Sequence, residues 1–305
     1  MDLFVKADYN FLSVRRTAYI VSAILILIGI VSLVLRGGPN YSIDFEGGLM
    51  MRISFEEPVP LGDLRQVITD ATVKTPEVTH DIDADANYII RIERLEQTEV
   101  ELAAQQIRDA LVVAFPGNEV IIQSTDEVGP KVGQELRGKM IMAIFWALAG
   151  ILIYISWRFE FRFAAVCVAT LTHDIILVIG LFSILNVEIS LPIVAALLTI
   201  VGYSLNDTIV VLDRIREDLK RYRQEQYDWV LNKAINETLS RTVVTSVTTF
   251  IVVFILWLFG GPVIHDFAFA LMAGVIIGTY SSIFVAAPLL VEWQERSPQV
   301  RAKRK

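Results

Sequence analysis

The chain has 305 residues, of which 54% are hydrophobic, and a formal net charge of −7 at pH 7. An ordinary soluble domain is about 45–50% apolar, so the excess indicates that part of the chain lies in a membrane. Its single cysteine excludes an internal disulfide and a thiolate metal cluster, and its three histidines are too scattered to suggest a metal site. The acidic balance argues against nucleic-acid binding.

Six apolar stretches each approach the roughly 20 residues that cross a hydrocarbon core. Backbone groups inside a membrane need internal hydrogen-bond partners, so we predict that all six are helices. The stretches are residues 18–35, 140–157, 163–185, 191–212, 243–259 and 267–290. Lys6, Arg15 and Arg16 precede the first stretch, but its apolar run is too long for a signal peptide and no cleavage-site pattern follows. We therefore expect an uncleaved anchor.

The Lys and Arg residues of the loops predict the orientation, because cytoplasmic loops are rich in them. Loops 186–190 and 260–266 contain neither residue type, whereas the alternate loops and the tail are basic. These basic residues are Arg158, Arg162, Arg214, Arg216, Lys220, Arg221, Arg223, Lys233, Arg301, Lys303, Arg304 and Lys305. Only Lys131, Arg137 and Lys139 depart from the pattern. We predict that both termini are cytoplasmic.

Residues 37–137, between the first two stretches, are too polar to cross a membrane. Up to Pro130 this region holds 18 acidic and six basic residues, the reverse of the loops assigned to the cytoplasm. Its residue pattern predicts strands at 49–56, 78–83, 88–93 and 120–124 and helices at 61–71 and 98–114, with a turn at Asp85–Asn87 and a helix stop at residues 116–118. The order β-α-β-β-α-β is that of a ferredoxin-like domain.

The predicted fold class is a polytopic α-helical membrane protein with six transmembrane helices and an α+β ferredoxin-like periplasmic domain between helices 1 and 2. The predicted divisions are a cytoplasmic N-terminus (1–17), the first helix (18–36), the periplasmic domain (37–137), a five-helix transmembrane domain (138–292) and a basic cytoplasmic tail (293–305).

Asp207 is the principal candidate functional residue, because it lies in the fourth apolar stretch several residues before its end. Intramembrane carboxylates usually face a bundle interior, a partner charge or water. Arg241, just before the fifth stretch, can reach the same depth and stays charged at any relevant pH. Protonation of the carboxylate could therefore respond to conformation. The alternatives are a structural or interfacial role for Asp207 and a positive-inside anchor at Arg241.

Two further features have both a functional and a structural interpretation. Hydroxyl residues recur near helical spacing at Thr242, Thr245, Ser246 and Thr249, where they line a wet path or, for most of them, hold helices together. Asp174 follows His173 near the middle of the third stretch, and is either a second candidate carboxylate or a hydrogen-bonded packing residue.

Two motifs carry less weight. Gly274-x-x-x-Gly278 permits close helix packing, either inside this chain or with a partner. Residues 133–140 nearly spell a phosphate-binding loop, but Met140 stands where Ser or Thr must hold magnesium. We find neither an HExxH motif nor a Ser-His-Asp arrangement, so we expect no enzyme activity, no metal and no cofactor.

Seven short segments, spread from the first span to the last, match the signatures of one family. They are residues 41–48 (YSIDFEGG), 128–133 (VGPKVG), 157–160 (WRFE), 173–174 (HD), 201–217 (VGYSLNDTIVVLDRIRE), 241–246 (RTVVTS) and 259–262 (FGGP). The chain resembles the SecF family of protein-export membrane proteins, within the resistance-nodulation-division superfamily. Glu46 departs from the threonine expected there, and the tail after Glu292 matches nothing.

The resemblance implies one six-span half of a proton-driven permease in the bacterial inner membrane. It implies SecD as the other half, with the SecYEG channel, YajC, YidC and a translocating preprotein as further partners. The proton-motive force would draw the preprotein outward after the SecA ATPase has inserted it. The resemblance ties the aspartate at Asp207 and the arginine at Arg241 to proton passage, and we predict Asn206, Thr245 and Asp174 as further members of that pathway.

Two other functions remain open on the sequence. The chain could be a scaffold subunit of the translocon whose buried charges only hold helices together. It could also be a small-molecule exporter that works as a homo-oligomer, although the sequence lacks the aromatic cluster that a drug-binding cavity would need.

Overall fold

The computed structural model describes residues 8–72, 76–80, 86–93 and 97–296. Several sequence predictions lie outside the described residues. They concern Lys6, the second predicted strand beyond residue 80, the turn residue Asp85, and the basic residues Arg301, Lys303, Arg304 and Lys305.

The described residues form helices and one four-stranded sheet, whose strands differ in length. The helices are α1 (Arg15–Leu35), α2 (Ile43–Glu46), α3 (Leu61–Thr72), α4 (Gln97–Ala114), α5 (Pro130–Arg158), α6 (Phe161–Leu185), α7 (Leu191–Arg221), α8 (Tyr227–Phe259), α9 (Pro262–Ser281) and α10 (Ala287–Arg296). The strands are β1 (Gly48–Phe55), β2 (Glu77–His80), β3 (Asn87–Glu93) and β4 (Val120–Val128). A 3₁₀ turn (Phe11–Val14) precedes α1, and a π-helical segment (Ser282–Ala286) joins α9 to α10.

Six helical runs are long and apolar enough to cross a membrane, which confirms the six predicted spans. They contain α1, α5, α6, α7, α8 and the continuous run from α9 to α10. Three of these helices extend beyond the apolar stretches: α5 begins at Pro130, α7 continues to Arg221 and α8 begins at Tyr227. Hydropathy marks the part of a helix that lies in lipid, whereas helical hydrogen bonding continues into water.

The four-stranded sheet has the order β2-β3-β1-β4 with antiparallel pairs, and it confirms the ferredoxin-like fold. Alternate residues of β1 (Leu49, Met51 and Ile53) point into the core, as a half-buried strand requires. They pack against Leu64 of α3 and Ile107 of α4 in one cluster. Strand β4 runs four residues past its predicted end at 124, because its last part pairs with the start of β1.

The sheet domain is seated closely on the membrane part. Gly47 has a φ of +78°, and a Cβ added there would lie 2.7 Å from the Cα atom of Pro130. Residues 41 and 189 form a parallel β-bridge between the segment after α1 and the α6–α7 loop. In the same loop, Glu188 forms an ion pair with Arg91 of β3. These contacts connect the sheet domain to both α1 and the α6–α7 loop.

Small residues bring the spans close together. Gly274 and Gly278 of α9 face α7, where an added Cβ at Gly278 would lie 3.0 Å from the Cβ atom of Ser204. The Gly-x-x-x-Gly motif therefore packs inside this chain. At the α1–α6 crossing, a Cβ added at Gly29 would lie 2.8 Å from the Cα atom of Gly180, so the two backbones meet directly.

Substituting Gly29 by alanine should lower the free energy of unfolding by about 1–3 kcal/mol, because the new methyl group meets backbone atoms that no side-chain rotation can move away. Chemical denaturation in a lipid-like detergent measures this change. Gly150→Ala is the matched control, because a Cβ at Gly150 meets no atom within 4 Å. Equal stability of the two variants would contradict the prediction.

Candidate functional site

Asp207 lies on the buried face of α7. Ile200, Ser204, Asp207, Thr208 and Val211 follow one another at helical spacing, and all are buried. The Asp207 residue is only 1% exposed. The same periodicity that packs the apolar residues of α7 therefore also carries the carboxylate inward.

Hydroxyl groups of two neighbouring helices surround this carboxylate. Ser246 of α8 donates a hydrogen bond to Asp207 Oδ2 at 3.3 Å. Thr279 of α9 in turn donates to the Ser246 hydroxyl at 2.7 Å. The amide of Asn206 lies 3.5 Å from Asp207 Oδ1, at the outer limit for a hydrogen bond. Asp207 is therefore the point at which α7, α8 and α9 meet, and its hydrogen bonds are long.

Arg241 and Thr245 lie beside this group on α8. Arg241 is close enough to attract the Asp207 carboxylate electrostatically, but within the described residues the two form no ion pair of 4.0 Å or less. Thr245 is also next to Asp207, and its hydroxyl donates to the carbonyls of Arg241 and Thr242 at 2.9 and 3.0 Å. Four of the five predicted site residues thus come together at the α7–α8 contact.

An open cavity of about 1160 Å³ lies between the C-terminal half of α7 and the first part of α8, and Asn206 and Arg241 are among its lining residues. Its charged lining residues also include Asp213, Arg214, Glu217, Lys233 and Glu237. Glu237 accepts a hydrogen bond from Arg214 Nε at 2.6 Å and pairs with Lys233 at 2.9 Å. The cavity therefore provides polar, open surface up to the two residues that flank Asp207.

Asp174, the fifth predicted residue, lies in a separate buried cluster. Its Oδ2 atom accepts hydrogen bonds from Ser204 of α7 at 2.6 Å and from Ser281 of α9 at 2.7 Å. Its Oδ1 atom lies 2.8 Å from Nδ1 of His173. Three short contacts thus saturate a carboxylate that is 1% exposed, and they tie α6 to α7 and α9.

The Asp174 cluster continues to α1 through side chains. His173 Nε2 lies 3.1 Å from the hydroxyl of Ser22, which lies 3.1 Å from that of Tyr280. Tyr280 donates to the carbonyl of Ala18 at 2.9 Å. This chain of polar groups connects α1 with α6 and α9 inside an otherwise apolar region.

Sequence reasoning missed three of the contributing hydroxyls: Ser204, Thr279 and Ser281. Ser204 stands one helical turn before Asp207, and this spacing could have indicated that it lies on the same buried face of the helix. Thr279 and Ser281 fall in an unusually polar run, residues 279–282 (TYSS), inside an apolar span. That run could have marked the facing surface of the last span.

Comparisons with known proteins agree with this architecture. The family model for the protein export membrane protein SecD/SecF, C-terminal, matches residues 110–296. The SecF protein translocase subunit of Magnetococcus marinus is 45% identical over 297 residues, which cover 95% of this chain and 94% of the relative. The corresponding subunit of Vibrio alginolyticus is 40% identical over 299 residues, covering 96% and 92%.

Solved structures show the same fold. The crystal structure of SecDF, a translocon-associated membrane protein from Thermus thermophilus, superposes with a TM-score of 0.85 at 36% identity over 97% of this chain. A super-membrane-facing form of SecDF gives a TM-score of 0.71 at 35% identity over 99% of the chain. The chain spans only 40% and 41% of the length of those two chains.

Fold and site together define a multi-pass membrane protein with one ferredoxin-like domain and with carboxylates buried among its spans. With these relatives, the chain belongs to the SecF family of protein translocase subunits, as the sequence motifs indicated. Its role is in protein translocation.

Replacing Asp174 by alanine should cost about 1–3 kcal/mol of unfolding free energy, because Ser204, Ser281 and His173 lose their shared acceptor in a buried place. Unfolding in mixed detergent micelles measures the loss. Asp126→Ala on the exposed strand β4 is the control and should change stability little. A stable Asp174→Ala variant would show that the three contacts contribute nothing.

Proposed function

We propose that this chain uses the proton-motive force to assist and complete the translocation of preproteins. The observation that carries the proposal is the setting of Asp207: a buried carboxylate with long hydrogen bonds, beside Asn206 and Arg241, which both line a polar cavity. A carboxylate held this loosely can accept and release a proton without dismantling a saturated network. Asp174 lacks that freedom, so we assign it a supporting place on the pathway.

The proposed step begins with protonation of Asp207 from the outside. A neutral Asp207 no longer attracts Arg241, so the α7–α8 contact loosens and α8 moves. Asn206 and Thr245 line the way between the carboxylate and the cavity. The only bond that forms or breaks in this scheme is the O–H bond of the carboxyl group as Asp207 takes up and releases a proton, and we therefore propose no enzyme activity.

The energy available limits the work that this step can do. One charge that crosses about 100 mV releases about 2.3 kcal/mol, which shifts a two-state equilibrium by less than about a hundredfold. That is sufficient to bias a conformational step, but it is too little to unfold a domain of ordinary stability. The proposed work is therefore to prevent back-sliding of an extended chain that SecA has already inserted.

We propose SecD as the partner that completes the permease, with SecYEG, YajC and YidC around it. Support comes from α8, whose apolar side chains Val247, Ile251 and Ile255 are exposed in the chain by itself. They lie on the helix that carries Arg241, where a second half would cover them.

We further propose an inner-membrane location with both termini in the cytoplasm, which puts the sheet domain in the periplasm and the cavity on the cytoplasmic side.

Asp207→Asn should lower the export of a secreted reporter by about tenfold or more per assembled complex, because the amide cannot take part in proton transfer. Export is measured in cells whose only copy carries the variant, and is normalised to the SecD that co-purifies. Asp213→Asn is the matched control, because Asp213 lies on the same helix, lines the same cavity and pairs with Arg216 at 2.8 Å.

Normal export and normal proton flux in Asp207→Asn would contradict the proposal. Loss of SecD recovery without loss of export per complex would instead support a scaffold subunit, whose buried charges only hold helices together.

A further inference from the structure

The segment that precedes α1 lies across the beginning of α8. We call residues 8–14 the strap. Asn232 Oδ1 accepts a hydrogen bond from the Phe11 amide at 2.8 Å, and Asn236 Oδ1 accepts one from the Tyr9 amide at 2.9 Å. The side-chain amides of both asparagines donate to the Tyr9 carbonyl at 2.8 Å. Two residues one turn apart on α8 thus hold the backbone of the strap, whatever its side chains.

Packing and charge reinforce the attachment. Leu12 is 6% exposed and belongs to the same core cluster as Leu231 of α8. Phe11 contacts Phe284 of the π-helical segment edge to face, with ring centroids 5.8 Å apart. Arg15, at the start of α1, lies 3.6 Å from Asp228 of α8 and 3.6 Å from Glu295 of α10. The strap is therefore fixed to the beginning of α8 and to the last span.

The strap provides the main contact between α1 and α8. Within the described residues, α1 packs chiefly against α6, whereas α8 packs against α7 and α9, and the two helices barely touch. Asn236 and Arg241 share one continuous helix, five residues and about 7.5 Å apart along its axis. A movement of Arg241 therefore also moves the point at which α8 grips the strap.

The far end of α1 leads to the sheet domain. Ser32 of α1 lies 2.8 Å from the Ser183 hydroxyl of α6, and Arg36 donates to Asn186 at 2.6 Å. The following segment pairs with residue 189, in the loop whose Glu188 binds Arg91 of the sheet. One helix thus joins the strap on one side of the membrane to the sheet domain on the other.

We propose that Asn232 and Asn236 are positioning residues that couple α8 to α1 through the strap, so that displacement of Arg241 reaches the sheet domain. The inference rests on the proposed proton-driven function of Asp207. It adds a transmission role for two asparagines that also line the cavity beside Asn206 and Arg241. Hydrogen bonds between side-chain amides and backbone suit this task because they are directional. They hold the strap to the beginning of α8 and leave the membrane-spanning part of α8 free to move.

The test is the double variant Asn232→Ala/Asn236→Ala in the full chain, assembled in inverted membrane vesicles that contain the whole translocation machinery. Export per assembled complex should fall about three- to tenfold, because α8 moves without α1, while proton flux stays near the wild-type value. Asn118→Ala is the matched control, because Asn118 makes the same kind of amide contact to the backbone of Glu57 in the sheet domain. It should leave export unchanged.

A reversible crosslink separates coupling from mere stability. Tyr9→Cys with Asn236→Cys, in the Asn232→Ala background, places one thiol on each of two residues that now share a hydrogen bond of 2.9 Å between the Tyr9 backbone amide and the Asn236 side chain. Cys167 is buried and does not interfere. Oxidation should restore export and reduction should abolish the gain, which a folding defect would not do.

If Asp207→Asn is inactive in the same vesicles, either of two results overturns the proposed coupling role of the strap. One is unchanged export in the double alanine variant, and the other is no recovery of export on oxidation of the cysteine pair. Full export activity of Asp207→Asn overturns the proposed proton-driven function, and the coupling role proposed for the strap falls with it.

Discussion

A carboxylate inside a bilayer must be hydrogen-bonded or neutralised, because its insertion costs about 2.5–3.5 kcal/mol even on the most lenient scales. Among the described residues, the apolar stretches predicted to cross the membrane bury two, Asp174 and Asp207, each 1% exposed. The hydroxyls that satisfy them come from different helices: Ser204 from α7, Ser246 from α8 and Ser281 from α9. The arrangement of four spans around two carboxylates follows from this requirement, since each hydroxyl fixes the rotation of its helix.

The two carboxylates meet the requirement in opposite ways. Asp174 has contacts of 2.6, 2.7 and 2.8 Å and a histidine neighbour, so it is saturated. Asp207 has contacts of 3.3 and 3.5 Å and a cation that does not pair with it within 4.0 Å in the described part of the chain. A saturated group holds helices in place, whereas a loosely held one can change its partners. We therefore expect the helices joined at Asp174 to stay fixed relative to one another, and the contacts at Asp207 to be the ones that change.

The sequence predicted what depends on periodicity and composition. Six spans, the ferredoxin-like order of strands and helices, and Asp207 as a buried carboxylate all follow from hydropathy and local patterns. The helix ends at Pro130 and Arg221 did not, because helices continue beyond the lipid where hydropathy gives no signal. Nor did the partners of Asp174, because the meeting of Ser204 with Ser281 depends on the rotation of two helices about their axes. The strap was invisible for a similar reason: its contacts span more than 220 residues of sequence.

Within this chain, α8 is less buried than the helices that it meets at Asp207. About half of the central window of α6, α7 and the last span is buried, compared with 17% for α8. The Asp174 cluster ties the three better-packed spans together, and α8 is absent from it among the described contacts. Regions with fewer buried contacts open at lower free energy than the rest of a structure. Arg241 and the two asparagines that hold the strap all lie on this helix. A charge change at Asp207 therefore acts on a span that is less buried within this chain than α6, α7 and the last span, and the strap provides that span with its connection to α1.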